Sequence, residues 1–324
     1  MRALVHETFG EATDVLRVQE IPTPEPGPGQ VRVRTILSPI HNHDLWTIRG
    51  TYGFKPELPA QSGTEAVGVV DALGEGVENL SVGQRVTGST FGVWAEHFVA
   101  PAAGMIPVPD GVDDETAAQL VSMPFSALAL LDSLAVEPGQ WIVQNTANGA
   151  VGRLVAQFAR ARGVNVLGLV RRDAAVAELA EASIDRVVST EHEGWRDEAF
   201  AILGDDRPVT AVDSVGGAGT ADLISVLGDD GSVVVFGSMG SADLAVTAAD
   251  VIFRGISVRG FWGSRVSREL APEKRAELFG ELFRRVGGGE VRLPVERIFS
   301  FDEAREAAAA SDTAGRVGKI LLRP

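Results

Sequence analysis

The stretch Trp141-Ile-Val-Gln-Asn-Thr-Ala-Asn-Gly-Ala-Val-Gly152 joins a short apolar segment to the start of a helical pattern. Residues 141–145 are apolar enough to predict a buried parallel strand. Ala147, Gly149 and Gly152 follow the spacing G-x-G-x-x-G, with alanine in the first place. Small residues at such a turn let the backbone approach a pyrophosphate, and the helix N-terminus presents free N–H groups to it. The stretch therefore predicts a dinucleotide-binding turn.

The residues that follow complete a strand–helix–strand unit. Apolar side chains recur at three- and four-residue intervals over residues 150–159, as on the buried face of a helix. Gly163 is expected to close that helix, and residues 164–170 are typical of a second buried strand. A glycine motif alone is a weak signal, since a tight turn without a ligand uses the same residues. The complete unit favours dinucleotide binding.

Composition limits the possible functions. The length of 324 residues favours two domains. A net charge of −15, from 29 basic and 44 acidic residues, opposes nucleic acid or an anionic membrane as the main partner. Cysteine is absent, so disulfides and thiolate metal sites are excluded. No apolar run is long enough to span a bilayer, and the first residues lack the layout of a signal peptide, so a cytoplasmic location is the default expectation.

The rest of the chain predicts an α/β protein. Short strand-like runs and glycine turns up to about residue 108 favour a small β-domain. A helix N-capped by Asp113 is expected to run to Val121, Pro124 to interrupt, and a second helix to span residues 126–135. A doubly wound sheet of six parallel strands is predicted at residues 141–145, 164–170, 185–188, 209–214, 231–236 and 256–261. The tail predicts a helix at 272–286, a short strand, a helix at 301–311 and a strand at 317–322 that returns to the β-domain.

Essentially the whole chain resembles a medium-chain dehydrogenase/reductase. Three stretches resemble its mitochondrial-type 2-enoyl thioester reductases: Gly50-Thr-Tyr-Gly-Phe-Lys-Pro-Glu-Leu-Pro-Ala60, Gln144-Asn-Thr-Ala-Asn-Gly-Ala-Val-Gly152 and Val258-Arg-Gly-Phe-Trp-Gly-Ser264. The resemblance implies a GroES-like β-domain over residues 1–118, an NADPH-binding Rossmann domain over 119–261 and a C-terminal return over 262–324.

The resemblance also implies a reaction. In that branch a Gly-x-Tyr-Gly segment carries the catalytic tyrosine, which matches Tyr52, and an Arg-Gly-Phe-Trp segment lines the acyl pocket, which matches residues 259–262. We expect NADPH-dependent reduction of the C=C bond of an α,β-unsaturated acyl thioester. Two alternatives remain: a zinc-free quinone oxidoreductase or alkenal/enone reductase, which needs no Tyr52, and a non-catalytic NADPH-binding protein.

Tyr52, the only tyrosine, suits this chemistry. A phenol is protonated at neutral pH, so it can donate a hydrogen bond to an enolate oxygen or a proton to the α-carbon. The alternative is a tyrosine that packs a loop, with its hydroxyl in water. The predicted substrate pocket contains His41, Trp46, Phe125 and Trp262.

The end of the second predicted strand indicates the cofactor. NAD enzymes of this fold usually carry Asp or Glu there, whereas this chain has Val170-Arg171-Arg172-Asp173. Two guanidinium groups suit a 2′-phosphate, although a solvated pair at a strand end is the simpler alternative. NADPH is therefore expected, bound by Asn145, Asn148, Gly149, Ala150, Val151, Gly152, Arg171, Arg172, Ser214, Gly237 and Phe261.

A metal is not expected. Zinc members of the superfamily use a Cys three residues before an Asp, and a His in Gly-His-Glu. Here His41 stands three residues before Asp44, and the second motif is Gly63-Thr64-Glu65. Losing the thiolate and the histidine removes two strong ligands, although His41, His43, Asp44 and Glu65 could still form a site of N and O donors. The enoyl reductases carry Asn at the place of His41, so this position departs from the branch.

Two further expectations concern partners. Superfamily members commonly dimerise by pairing the edge strands of their Rossmann sheets, so a homodimer is expected through Ile256-Ser-Val-Arg-Gly-Phe261. The substrate thioester is carried either on coenzyme A or on an acidic carrier protein. The net charge would repel such a carrier unless a local basic patch forms from Arg265, Arg268, Arg284 and Arg285.

Overall fold

The structure, a computed structural model, describes residues 1–313 and 315–324. Contacts divide the chain into two compact units. The first contains Met1–Ser122 and Arg292–Pro324, and the second contains Met123–Val291. The domain boundaries predicted from the resemblance stay a prediction. Residues 262–291, which it assigned to the C-terminal return, lie in the second unit.

The first unit begins with short strands and three small helices. Its elements up to residue 122 are β1 (Arg2–His6), α1 (Ala12–Val15), β2 (Arg17–Glu20), β3 (Gln30–Pro39), α2 (Asn42–Arg49), β4 (Ala60–Gln61), β5 (Glu65–Leu73), β6 (Arg85–Ser89), β7 (His97–Pro101), β8 (Met105–Pro107) and α3 (Asp114–Ala118). Helix α3 begins as predicted, because the Asp113 side chain accepts the Thr116 N–H at 2.7 Å.

The second unit alternates strands and helices. Its elements are α4 (Met123–Ser133), β9 (Trp141–Gln144), α5 (Ala150–Ala161), β10 (Asn165–Val170), α6 (Asp173–Glu181), β11 (Val187–Ser189), α7 (Trp195–Leu203), β12 (Thr210–Asp213), α8 (Ala218–Val226), β13 (Ser232–Val235), α9 (Ala248–Phe253), β14 (Ser257–Gly260), α10 (Gly263–Glu269) and α11 (Pro272–Gly287). The chain then returns to the first unit with β15 (Val295–Ser300), α12 (Ala304–Asp312) and β16 (Lys319–Arg323).

The sheets confirm the predicted α/β class. The second unit has a six-stranded sheet in the order β11-β10-β9-β12-β13-β14, with parallel pairing throughout. This is the doubly wound order of a Rossmann sheet. The first unit has a sheet in the order β15-β16-β3-β5-β6-β8, with β7 paired to β3, and a smaller sheet β2-β1-β4.

The hydrophobic pattern explains the second unit. Strand β9 is buried along its whole length, and helix α5 buries Leu154, Val155 and Phe158. Burying one such side chain contributes about 1.5–3 kcal/mol. No helix in the described part of the chain is long and apolar enough to cross a membrane.

The predicted interruption at Pro124 is wrong. Helix α4 begins at Met123 and contains Pro124 in its first turn. Proline is tolerated there because the first N–H groups of a helix have no partner within the helix. The preceding helix ends at Ala118, three residues before the predicted end.

Candidate active site

The turn between β9 and α5 has a constrained backbone. Thr146 has a positive φ of 48°, and Gly149 is the N-cap of α5. A Cβ on Gly152 would lie 2.5 Å from the Thr146 carbonyl oxygen, so only glycine fits there. The first N–H groups of the twelve-residue helix α5 have no acceptor within the helix, as at the start of any α-helix.

The alanine in the first motif place is matched by a glycine elsewhere. A Cβ on Gly168 of β10 would lie 2.7 Å from the Ala147 Cβ. The small residue that the close approach needs is thus supplied by the neighbouring strand. The sequence motif alone did not reveal this exchange, because the two positions are 21 residues apart.

Polar side chains brace the same turn from both ends. Gln144 donates from Nε2 to the Gly152 carbonyl at 2.8 Å, and Arg153 donates from Nε to the Asn148 carbonyl at 3.0 Å. Burial lowers the pKa of the Arg153 guanidinium, which is consistent with a structural role inside the unit. Asn148, Ala150 and Val151 retain solvent-exposed surface.

Asn145 and Asp213 connect two strand ends. Asn145 donates from Nδ2 to Asp213 Oδ1 at 2.7 Å, and its Oδ1 accepts the Ser214 N–H at 2.7 Å. Asp213 is fully buried and also accepts the Val215 and Gly216 N–H groups and the Thr220 hydroxyl. Asn145 was predicted to bind the cofactor; both of its amide atoms make bonds within the protein.

The remaining predicted cofactor residues follow the carboxyl ends of strands β10, β12, β13 and β14. Arg171 and Arg172 follow β10, and both side chains are exposed. A Cβ on Gly237 would lie 3.2 Å from the Ser214 carbonyl oxygen, which places the ends of β12 and β13 in contact. The Phe261 ring lies 5.9 Å from that of Phe236.

The predicted pocket residues of the second unit lie beside α4. Phe125 is buried and stacks on Phe279 with ring centroids 4.3 Å apart. Trp262 is 45% exposed. A Cβ on Gly263 would lie 2.5 Å from Ser126 Oγ, so the segment after β14 packs closely against the start of α4.

In the first unit, helix α2 carries the candidate catalytic loop. Gly50 ends the helix in the left-handed conformation, with φ of 75°. The Thr51 and Tyr52 N–H groups then donate to the Trp46 carbonyl at 2.9 and 3.2 Å. Tyr52 is therefore fixed to the end of α2 by its backbone, and its ring lies 5.8 Å from the ring of His43. Trp46 is half-buried on the same helix.

A buried hydrogen-bonded pair lies at the start of α2. His41 Nε2 and Glu65 Oε2 are 2.7 Å apart, and neither side chain has exposed surface. Glu65 Oε1 accepts the Val121 and Ser122 N–H groups. His41 was predicted to belong to the substrate pocket, and that role stays a prediction; the structure shows its ring enclosed and bonded to Glu65.

Burial controls the charges of this pair. It raises the pKa of Glu65 to about 8 and lowers the pKa of His41 well below the usual value. The buried Lys319, whose pKa burial lowers to about 8, acts in the same direction on His41. Both shifts favour the neutral forms, a protonated Glu65 carboxyl and an uncharged His41 ring.

The zinc motif positions form hydrogen bonds with one another. His43, Asp44 and Thr64 bond among themselves, as His41 does with Glu65. A group of three or more His, Asp or Glu side chains suited to a metal ion is absent from residues 1–313 and 315–324. The expectation of a metal-free enzyme stays a prediction.

Sequence reasoning missed three side chains that organise these sites. Asp213 could have been suspected, because it is an acidic residue near the end of the predicted strand 209–214, whereas Thr64 gave no such signal. Lys319 is one of few lysines, but its burial against the carbonyl of Ile40 depends on pairing of β16 with β3. Only tertiary structure brings it there.

Comparison with known families defines the class of protein. The description "Alcohol dehydrogenase GroES-like domain" matches residues 27–110, and "Zinc-binding dehydrogenase" matches residues 150–278. With the six-stranded Rossmann sheet, these matches confirm the resemblance. The chain belongs to the medium-chain dehydrogenase/reductase superfamily, and it is an oxidoreductase of that superfamily.

Individual proteins and solved structures are also similar to this chain. The chain is 30% identical to the mitochondrial enoyl-[acyl-carrier-protein] reductase of Xenopus tropicalis over 86% of this chain and 81% of that protein. The human enoyl-[acyl-carrier-protein] reductase is 30% identical, over 96% and 85%. Among solved structures, a putative NADPH:quinone reductase from Bacillus thuringiensis superposes with a TM-score of 0.92 at 25% identity, covering 100% and 98%. A mycobacterial protein complexed with NADPH superposes with a TM-score of 0.89 at 25% identity, covering both chains fully.

Proposed function

We propose that the protein reduces the C=C bond of an α,β-unsaturated acyl thioester, with NADPH as the source of hydride. The observation that carries the proposal is the fixed placement of Tyr52 at the end of α2, with its ring against His43. The relatives named enoyl-[acyl-carrier-protein] reductase, at 30% identity, support the same reaction.

The second unit offers what NADPH binding requires. Its turn before α5 exposes backbone N–H groups for the pyrophosphate. The exposed Arg171 and Arg172 supply cationic partners for a 2′-phosphate. The neighbour complexed with NADPH supports this choice of cofactor. We propose that residues 148–152, 171, 172, 214, 237 and 261 bind NADPH, and that Asn145 orders the site through Asp213.

The first unit supplies the acid chemistry. When bound, NADPH supplies the hydride for the β-carbon. The Tyr52 hydroxyl donates a hydrogen bond to the thioester oxygen as negative charge develops there, and then gives its proton to the α-carbon. We propose that the partly exposed Trp46 and Trp262 provide apolar surface for the acyl chain, whereas Phe125 of the predicted pocket is buried against Phe279.

Charge pairing argues against a basic docking patch for an acidic carrier protein. Of the four arginines that could form a basic patch, Arg265 bonds to Glu269 at 2.8 Å and Arg285 bonds to Glu290 at 2.6 Å. Pairing removes much of their attraction for an acidic surface, and the net charge of −15 repels one. Crotonyl-CoA, a thioester that needs no carrier protein, is therefore the substrate for the assay.

A zinc-free quinone oxidoreductase or enone reductase is the second candidate. The Bacillus thuringiensis neighbour, named as a putative NADPH:quinone reductase, favours it. Hydride transfer to an already polarised acceptor needs no phenol donor. A non-catalytic NADPH-binding protein is the third candidate, and an ordered Tyr52 site argues against it.

One assay separates the three candidates. Loss of NADPH absorbance is followed with crotonyl-CoA, a simple enone and a quinone under the same conditions. We expect crotonyl-CoA to give the highest kcat/KM. Preference for the quinone or the enone would select the second candidate. NADPH binding without turnover of any acceptor would select the third.

Assembly and location remain proposals. Strand β14 is the edge of the Rossmann sheet, and the nearby α9 exposes Ile252 and Phe253 at 69% and 82%. We propose a homodimer formed through this edge, since unpaired edge strands and exposed apolar side chains favour association. The cytoplasmic location stays a prediction, and the relatives bear the word mitochondrial in their names.

A further inference from the structure

Two short hydrogen bonds join His43 to Asp44, its neighbour in the first turn of α2, through the hydroxyl of Thr64. His43 Nε2 lies 2.7 Å from Thr64 Oγ1, and Thr64 Oγ1 lies 2.7 Å from Asp44 Oδ1. Thr64 is the central residue of the Gly63-Thr64-Glu65 segment. Neither the fold nor cofactor binding accounts for a hydroxyl at this position. We propose that His43, held by Thr64 and Asp44, is a positioning residue that orients Tyr52 for proton donation. This inference rests on the proposed enoyl reduction.

The direction of these hydrogen bonds determines which ring nitrogen of His43 carries a hydrogen. Asp44 Oδ1 accepts the Thr64 hydroxyl hydrogen, and a hydroxyl has only one hydrogen to give. The Thr64 oxygen must therefore accept from His43, which places a hydrogen on Nε2. Burial lowers the pKa of His43. The negative charge of Asp44 raises this pKa, and the positive charge of Lys319 lowers it. The ring is held as one neutral tautomer in one orientation.

Helix α2 fixes the backbone positions of both His43 and Tyr52. Asp44 Oδ2 accepts the His41 N–H at 2.8 Å and so caps α2. The Thr47 hydroxyl donates to the His43 carbonyl at 2.7 Å. At the other end of α2, the Tyr52 N–H donates to the Trp46 carbonyl. The neighbouring rings of His43 and Tyr52 are thus attached to the two ends of one short, capped helix.

His41 supports His43 from within the unit. The two rings stack with centroids 5.0 Å apart and planes at 21°. His41 is itself fixed by Glu65, whose carboxyl is bonded to the backbone at residues 121 and 122. Motion of the His43 ring would therefore break the stacking as well as the bond to Thr64. A rigid ring beside Tyr52 limits the phenol to the productive geometry, and small misplacements in such sites cost up to about 10²-fold in rate.

The test is a double-mutant cycle with crotonyl-CoA and NADPH. Thr64→Val keeps the shape of the side chain and removes the hydroxyl that links His43 to Asp44. We expect kcat to fall about tenfold or more, with KM and the NADPH dissociation constant changed by less than about twofold. Thr64→Ser, which restores the hydroxyl, should recover most of the rate.

The cycle separates positioning from general damage. If Thr64 acts through the Tyr52 hydroxyl, the double variant Tyr52→Phe/Thr64→Val should be within about twofold of Tyr52→Phe alone. Thr35→Val is the matched control, because Thr35 is buried in β3 and its hydroxyl oxygen has no hydrogen-bond partner among the described residues. It should leave kcat unchanged. If Thr64→Val does not fold, His43→Phe breaks the same bond while keeping a ring.

Each outcome decides one claim. Wild-type kcat in Thr64→Val, or losses that multiply in the double variant, would overturn the positioning role while leaving the proposed function intact. Wild-type kcat in Tyr52→Phe would instead overturn the proposed enoyl reduction, whatever Thr64→Val does.

Discussion

The turn before α5 and the buried cluster at the start of α2, formed by His41, Glu65 and Lys319, are built from different parts of the chain: the first from backbone and the second from side chains. In the turn, backbone geometry creates the site: Gly152 must lack a Cβ, and Gly168 makes room for Ala147. In the cluster, ionisable side chains create the site: His41, Glu65 and Lys319 are all buried.

The two regions also differ in how far they reach along the sequence. The turn draws on residues 144–153 with one contribution from β10. The cluster joins the segments at 41–44, 64–65, 121–122 and 319. A site made of backbone is local and tolerant of surface change, whereas a site made of buried polar groups depends on every partner.

The largest expected effect is on the cluster. Glu65→Ala removes the partner of His41 Nε2 and of two backbone N–H groups. Stranding buried polar groups costs about 1–3 kcal/mol each, so we expect the free energy of unfolding to fall by at least about 3 kcal/mol. Urea denaturation measures it. The control Glu7→Ala, at an exposed glutamate bonded to Gln19, should cost under about 0.5 kcal/mol. Equal losses in both variants would refute the cluster's role.

The next effect concerns the cofactor edge. Arg171→Ala and Arg172→Ala should each weaken NADPH binding by about 1.5–3 kcal/mol, because each removes a charged hydrogen bond to the 2′-phosphate. NADH lacks that phosphate, so its affinity should change little. Calorimetric titration with both cofactors measures the difference. Equal weakening of NADPH and NADH would remove the 2′-phosphate assignment.

A smaller effect tests whether the turn depends on backbone. Gly152→Ala places a Cβ against the Thr146 carbonyl, so the turn must shift. We expect a loss of about 1–3 kcal/mol in stability and a matching loss of NADPH affinity. Gly287→Ala is the control, because this helical glycine has nothing within 4 Å of an added Cβ. If Gly152→Ala binds NADPH like the wild type, the close approach is not needed.

The smallest effect is a pH dependence confined to the cluster. The pKa of Glu65 is about 8 in the folded chain and its ordinary value is 4.5, so above pH 4.5 only the folded state keeps the proton. Stability from this carboxyl is complete below pH 4.5 and is lost as the pH rises through 8. Well above pH 6.5, its ordinary pKa, His41 is neutral in the unfolded state, and it is neutral in the folded state because burial lowers its pKa. Between pH 6.5 and 8 the free energy of unfolding should fall by at most about 1.4 kcal/mol per pH unit.

The matched variant for that measurement is Glu65→Gln. Glutamine keeps an acceptor for the two N–H groups but cannot titrate. Its free energy of unfolding should be flatter than that of the wild type over the same range at constant ionic strength. Parallel curves would show that Glu65 does not carry the dependence.

The sequence predicted the second unit better than the first. Periodicity and glycine spacing located all six strands and α5, because these features are local. Tyr52 was singled out by its segment. The hydrogen bonds of His41 to Glu65 and of Asn145 to Asp213 could not be predicted, because each partner comes from a distant strand. Lys319 and Thr64 gave no local signal, since their contacts form only when β16, β3 and β5 assemble.

The central claim is that the Tyr52 hydroxyl is the proton donor, and steady-state kinetics of Tyr52→Phe with crotonyl-CoA and NADPH test it most directly. The ring stays, so packing and NADPH affinity should be unchanged, and kcat should fall about 10²–10³-fold. Trp262→Ala, which removes half-exposed apolar surface, should instead raise KM. If Tyr52→Phe keeps more than about a third of the wild-type kcat, far outside the range for a lost donor, then Tyr52 does not donate the proton and the thioester reductase account fails.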